Sequence, residues 1–323
     1  MFVRQLIFHK IYSFFIGLAA FVMASSALAA PLKAVVTVGM VADVVHAVGG
    51  DDVEVTTLMG SGVDPHSYRV TRSDGLLLSR ADVIFANGLH LEAQLDELLH
   101  ILTTRKRVIL VADRLDKADL IEAEGFSGRY DPHVWMDPSL WTKTVAIVRD
   151  ALIEAAPENK DNFIKNASAY EAALVELNGK VKTTLHSVPR EKRVLITAHD
   201  AFGYLGRAFD VDVIGIQGLS TESEAGLKRI ETMVSLLVER NINAVFVESS
   251  VSEQNVKALI EGAQARGHSV SIGGTLFSDA MGKEGTFVGT YIGMIDHNAT
   301  TITRGLGGDA LDRGLTGKLS PHS

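Results

Sequence analysis

The stretch PENKDNFIKNASAYEAALVELNGKVKTTLHSVP, residues 157–189, decides the architecture of this chain. Pro157 suits the first turn of a helix, where its missing N–H leaves no bond unmade. Pro189 stops the run, and Gly179 is the sole helix-weakening residue between them. Phe163, Ala167, Tyr170, Leu174, Leu177 and Val181 recur at alternating spacings of three and four, which places them on one helix face. The pattern predicts a helix of about 30 residues, roughly 45 Å long. Such a helix outlasts a single small lobe and reads as a rigid strut between two. Gly179 leaves open a helix-turn-helix broken at that point.

On both sides of the strut, short β-branched runs alternate with helical patterns. Before it, strands are expected at Ala34–Val38, Val53–Leu58, Val83–Ala86 and Val108–Val111. Helices are expected through Val41–Val48, from the capping box Thr71-Arg72-Ser73-Asp74 toward Arg80, and over Leu91–Leu102. After it, strands are expected at Val194–Thr197, Val211–Ile216, Ala244–Val247 and Ser269–Ile272. Helices are expected over Ala201–Phe209, from a capping box at Thr221–Glu224 to Arg240, from a second at Ser250–Glu253 to Arg266, and over Thr290–Leu306. The alternation predicts an α/β fold of two lobes, each a mostly parallel sheet flanked by helices, joined by one long rigid helix. The boundaries are 30–156 for the first lobe, 157–188 for the linking helix and 189–306 for the second lobe. The glycine-rich segment 307–323 reads as a loose tail.

Residues 1–29 stand apart. Arg4 and Lys10 precede the apolar run Ile11–Met23, and Ala27-Leu28-Ala29 is a small-x-small cleavage signal. This is the pattern of a secretory signal peptide, so the mature protein is expected in the periplasm. The sequence has no cysteine, which removes disulfides, thiolate ligands and a lipid-bearing cysteine. Any metal must be held by nitrogen and oxygen. The formal net charge of −8 speaks against a nucleic-acid partner and suits cations.

The tripeptide Asp-Pro-His occurs twice, at Asp64-Pro65-His66 and Asp131-Pro132-His133, in a chain with only 7 prolines. Proline fixes its own φ and extends the residue before it, so each tripeptide is a stiff loop that aims an imidazole. In open α/β sheets ligands gather beyond the carboxyl ends of the strands. His66 follows the second expected strand, His133 precedes the strut, His199 follows Val194–Thr197, and Asp279 follows the last strand across a glycine-containing loop. Three imidazoles and a carboxylate form a sound site for a divalent transition metal. Asp64, Asp131, Asp200 and Glu248 compete as ligands; hydrogen bonding to loop amides or to imidazoles suits the first two and Glu248 better. His46, His90, His100, His186, His268 and His297 read as helix, loop or strand-edge residues, while His9 and His322 fall in the leader and the tail.

At these residues the chain resembles the metal-binding solute-binding proteins of zinc/manganese ABC importers, the TroA-like group (cluster A-I, bacterial solute-binding protein family 9). The matching stretches are GSGVDPHSYRVTRSD at 60–74, ANGLHLE at 86–92, YDPHVWMDPSLW at 130–141, TAHDAFGYLGRAF at 197–209, VFVESS at 245–250 and GGTLFSDAMG at 273–282. The resemblance implies two α/β lobes on one long helix, small lobe motions, and the ligands His66, His133, His199 and Asp279. It implies a monomer that carries Zn²⁺ or Mn²⁺ as transported ligand to a membrane permease driven by an ATPase. His199 stands where manganese- or iron-tuned members often have glutamate. The segment Asp113–Arg129 lacks the histidine-rich loop common in zinc-specific ones. Two rival functions remain: a metal-dependent hydrolase with Glu248 as base, and an adhesin stapled by a structural metal.

Overall fold

Strand β1 (Leu32–Val38) is buried on both faces from Ala34 onward, the mark of a parallel strand covered on each side. It pairs with β2 (Val53–Met59) and β3 (Val83–Ala86), and β3 pairs with β4 (Arg107–Leu110), all parallel, in the order β2-β1-β3-β4. The second half repeats the plan with β5 (Val194–Thr197), β6 (Asp212–Gly215), β7 (Ala244–Glu248) and β8 (Ser271–Leu276). Here β5 pairs with β6 and β7 with β8, again parallel, while β5 runs beside β7 without a shared ladder. The spatial order β6-β5-β7-β8 is therefore that of the first half. The computed structural model describes residues 30–123, 128–223 and 225–320; the expected signal peptide and His322 lie outside them. The described residues from Leu32 onward group into one unit.

The helices are α1 (Gly39–Gly49), α2 (Arg72–Arg80), α3 (Asp96–Thr103), α4 (Pro138–Ala155), α5 (Lys160–Leu185), α6 (Gly203–Phe209), α7 (Leu227–Glu239), α8 (Gln254–Ala265) and α9 (Tyr291–Gly305). The strut is α5, 26 residues unbroken through Gly179 and led in by a 3-10 turn at Pro157–Asn159. Its expected stripe is buried except for half-buried Tyr170, whose hydroxyl donates to Asp43 of α1 at 2.5 Å. The strut packs on α4, α1 and α9, so it touches helices of both halves. One continuous apolar core, from Val36 through Trp135, Trp141 and Phe163 to Tyr291 and Ile302, joins the halves behind the sheets. Separate outer cores lie under α2 and α3 and under α7 and α8.

Five local expectations need correction. The helix expected from Leu91 begins at Asp96 after a 3-10 turn at Ala93–Leu95, because Glu92 is turned inward. The strand expected at Ser269–Ile272 begins at Ser271 and runs through two glycines to Leu276. At Gly273 an added Cβ would lie 2.8 Å from the Phe246 ring, and at Gly274, φ +150°, 2.3 Å from a Thr301 methyl, so the strand passes where only glycine fits. The Thr221 capping box does not form: α7 starts at Leu227 behind Gly226, and its cap makes no side-chain bond. Glu253 likewise gives no side-chain cap to α8. The tail expected to be loose is held as far as Ser320. Buried Asp296 accepts from the Leu315 and Thr316 amides and from Thr316 Oγ1 at 2.7–3.0 Å, and Leu319 is buried. By contrast the Thr71–Asp74 capping box is complete, with each side chain taking the other's amide.

Candidate metal centre

The two Asp-Pro-His turns share one device and differ in one detail. In each, the aspartate Oδ1 accepts the N–H of the histidine two residues on, at 2.9 Å, which closes the turn and fixes the start of the imidazole. Asp131 Oδ1 also meets His133 Nδ1 at 2.7 Å, so one carboxylate holds both backbone and ring. Asp64 Oδ2 instead accepts from Ser67 Oγ, at 2.9 Å, and from Thr221 Oγ1 of the other half, at 2.6 Å.

From the second half, Glu248 closes β7 and grips His199 twice, accepting its N–H at 2.9 Å and facing its Nδ1 at 2.6 Å. Asp279 lies three residues beyond β8. Trp135 Nε1 donates to the Ser278 carbonyl at 2.9 Å, and Tyr291 Oη donates to the Trp135 carbonyl at 2.7 Å, which pins this loop to the one that carries His133.

These supports point four side chains at one place. His66, His133, His199 and Asp279 each offer an atom lying within 4.8 Å of the other three, and all four are buried. His66 Nε2 is 3.3 Å from His133 Nε2. Asp279 Oδ1 is 3.4 Å from His133 Nε2, and Oδ2 is 3.1 Å from His199 Nε2 and 3.9 Å from His66 Nε2. A tetrahedron of nitrogen and oxygen ligands around a zinc-sized ion has edges of about 3.3 Å. The set straddles that size and is slightly more open, as suits an aspartate using both oxygens. His199 Nε2 and both Asp279 oxygens are sealed from solvent and make no hydrogen bond outside the cluster. Buried polar atoms seldom lack such support, and these three face the shared point.

Electrostatics divide the histidines. Burial works to lower His133, but the Asp131 and Asp279 carboxylates outweigh it and raise the ring to about 9. His199 is likewise raised well above the ordinary imidazole range, with Glu248 and Asp279 overcoming burial. His66 goes the other way, down to about 4, because burial and the neighbouring imidazoles outweigh Asp279 and Asp64. Asp279 is held well below the usual carboxylate range: burial opposes this, and His199, His133 and His66 prevail.

A cleft of about 870 Å³ opens over the cluster, lined by His66, Asp131, Asp200 and Gly203 among others. His66 is the only member of the four on its wall. Asp200 stands in the cleft outside the set of four. His90 also lines the cleft and pairs with Asp96 at 2.5 Å on the surface. The remaining described histidines stay out of the site: His186, His268 and His297 bond backbone carbonyls of Phe209, Ile242 and Thr275, and His46 and His100 are exposed.

One supporting group carried no role in the sequence reading. Glu92 is fully buried, accepts from Thr37 Oγ1 at 2.6 Å and from the Asn87 and Gly88 amides at 2.7 and 3.1 Å, and so shapes the loop after β3. Asn87 then donates to the Pro132 carbonyl at 3.1 Å, within the second Asp-Pro-His turn. Burial raises Glu92 above the usual carboxylate range. The signal that could have found it was the acid inside ANGLHLE, placed where an apolar residue would suit a helix better.

Two repeated α/β halves on a long helix, with a nitrogen-and-oxygen cage at their strand ends, are the make-up of a solute-binding protein serving a metal importer. Comparison with known proteins agrees. The profile of the family described as "Zinc-uptake complex component A periplasmic" matches residues 34–305, and the chain belongs to that family. It is 44% identical over 275 residues to the manganese-binding lipoprotein MntA of Bacillus subtilis, covering 85% of this chain and 90% of the relative. It is 43% identical over 272 residues to the zinc-binding protein TroA of Treponema pallidum, covering 84% and 88%. The solved structure described as periplasmic zinc binding protein TroA from Treponema pallidum superposes with a TM-score of 0.83 at 42% identity, over 85% of this chain and 99% of that one. Fe(III)-bound YtgA from Chlamydia trachomatis superposes with a TM-score of 0.77 at 26% identity, over 87% and 99%.

Proposed function

We propose that this protein captures a divalent transition metal as cargo through His66, His133, His199 and Asp279. It would hold the ion between its halves in the periplasm and hand it to a membrane permease driven by an ATPase. The observation that carries the reading is the sealed cage: four buried side chains offer ligand atoms within 4.8 Å of one another, and His199 Nε2 and both Asp279 oxygens have no hydrogen-bond partner outside it. Zinc is the better fit by intrinsic affinity, because three imidazoles favour it over manganese. The relatives' names divide between manganese, zinc and Fe(III), so the cargo in the cell is left between zinc and manganese.

In this reading residues 1–29 are a removed signal peptide, 30–156 and 189–306 are the lobes, and 157–188 is the link; the mature protein acts as a monomer. It works by binding rather than by turnover. Both oxygens of Glu248 are engaged by His199, which leaves it poorly placed as the general base that a hydrolase requires.

Competitive titration of the metal-stripped protein with Zn²⁺ and Mn²⁺ tests the site. His66→Ala, His133→Ala, His199→Ala and Asp279→Ala should each weaken binding by two orders of magnitude or more while circular dichroism stays unchanged. An unaltered affinity in His199→Ala overturns the four-ligand assignment. Elemental analysis of protein taken directly from the periplasm identifies the cargo.

A further inference from the structure

We infer that Thr221 is the positioning residue for His66, and that it makes the approach of the second half and the aim of this ligand a single event. The inference rests on the reading of His66 as a ligand and extends it. His133 is aimed from within its own turn, since Asp131 Oδ1 holds both its amide and its ring. In the first turn Asp64 Oδ1 takes only the His66 amide, and Asp64 Oδ2 is shared by Ser67 and Thr221. The turn that aims His66 is therefore completed by a hydroxyl 157 residues away, donating at 2.6 Å to a carboxylate. A hydrogen bond to a charged acceptor is among the stronger kinds. Next to it Gln94 Nε2, in the 3-10 turn after β3, donates to Glu222 Oε1 at 2.9 Å, a second link from the Thr221 segment to the first half.

Placement gives the contact its meaning. His66 is the one ligand on the wall of the cleft, and residues 217–220 and 223 of the Thr221 segment line that cleft too. His133, His199 and Asp279 are sealed and have their own supports. An ion that leaves the cage toward the cleft must first lose His66. Thr221 looks like the first residue of a helix cap in sequence, yet α7 begins six residues later and its hydroxyl serves Asp64 instead.

Release of Zn²⁺ from the loaded protein into excess chelator tests this, followed by stopped-flow fluorescence of Trp135, whose ring centroid is 5.3 Å from that of His133. Thr221→Val should raise the dissociation rate about tenfold, as loss of one charged hydrogen bond predicts, with the association rate unchanged. Thr221→Ser keeps the hydroxyl and should restore the wild-type rate, which a packing role for the methyl group would not allow. In an Asp64→Asn background, Thr221→Val should add little. A Thr221→Val dissociation rate within twofold of wild type, or full additivity with Asp64→Asn, overturns the proposal. His66→Ala in the same assay separates the two levels: if it leaves Zn²⁺ retention unchanged, the ligand assignment fails rather than the latch.

Discussion

Metal capture at neutral pH should eject about two protons per ion. In the metal-free protein His133 is raised to about 9, since Asp131 and Asp279 overcome its burial, and His199 is raised well above the ordinary range against burial by Glu248 and Asp279. At pH 7 both rings carry a proton on each nitrogen, while burial keeps His66, at about 4, neutral. An imidazole ligates through a lone pair, so His133 and His199 must each shed the Nε2 proton that faces Asp279. Two imidazolium charges then give way to one divalent cation, and the net charge of the cage stays the same. For His133 alone, holding the proton at pH 7 against a pKa of about 9 weakens apparent affinity about 100-fold, or roughly 2.7 kcal/mol. With His199 included, affinity should climb by about two decades per pH unit near neutrality. Unperturbed imidazoles near 6.5 would instead show almost no dependence above pH 7. Calorimetric titration with Zn²⁺ in buffers of different ionisation enthalpy counts the protons directly. Glu248→Gln removes the carboxylate that sustains the His199 charge and should lower the count toward one. A count near zero at pH 7 in the wild-type protein would refute the reasoning.

Two further outcomes follow from the same geometry. Asp131→Asn and Glu248→Gln leave every ligand in place but loosen the aim and basicity of its imidazole. At pH 7 the eased proton competition offsets that loss, so competitive titration above about pH 9, where the competition has faded, should show affinity lower by about 10- to 100-fold. Chelator-treated protein should be most stable near pH 6.5. Between 6.5 and 9 the folded protein holds a proton on His133 that the unfolded chain has lost, so stability present below 6.5 declines as pH rises through 9, by about 3 kcal/mol. Below 6.5 the unfolded chain protonates His66 while the folded one resists down to about 4, so stability declines on that side as well. A melting temperature that is flat from pH 6.5 to 9 contradicts the assigned directions.

What the sequence shows most clearly is what local chemistry controls. The strut is legible because Phe163, Ala167, Leu174, Leu177 and Val181 keep helical spacing over many turns, and each is buried in the structure. The four clustered side chains are legible because parallel sheets gather loops at one end and because a repeated Asp-Pro-His is too stiff to be incidental. The illegible parts depend on partners distant in the chain. Glu92 is polar yet sits at the centre of a loop because Thr37 and two amides meet it there. Thr221-Glu222 has the composition of a helix start, but Asp64 and Gln94 claim both side chains. Gly273 and Gly274 look like a loop until Phe246 and Thr301 occupy the space their side chains would need. The tail looks loose until Asp296, itself read only as part of a helix, takes its amides.

The strut makes its own prediction, because it contains a glycine that nothing requires. Gly179 lies within α5, and an added Cβ there would have no atom within 4 Å. Glycine in a helix interior is less favourable than alanine by about 1 kcal/mol, largely because the unfolded chain gains freedom at that residue. Gly179→Ala should therefore raise the melting temperature by about 2 °C. The effect on metal release bears on mechanism. If the strut is rigid, stiffening it changes nothing between the lobes, and Zn²⁺ should leave Gly179→Ala at the wild-type rate. The core that joins the halves along α1, α4, α5 and α9 argues for that outcome, since bending at Gly179 would have to part Leu177 and Val181 from it. A changed release rate with an unchanged cage would place a hinge at Gly179, and motion of the halves would then arise in the helix rather than in the loops at the cleft.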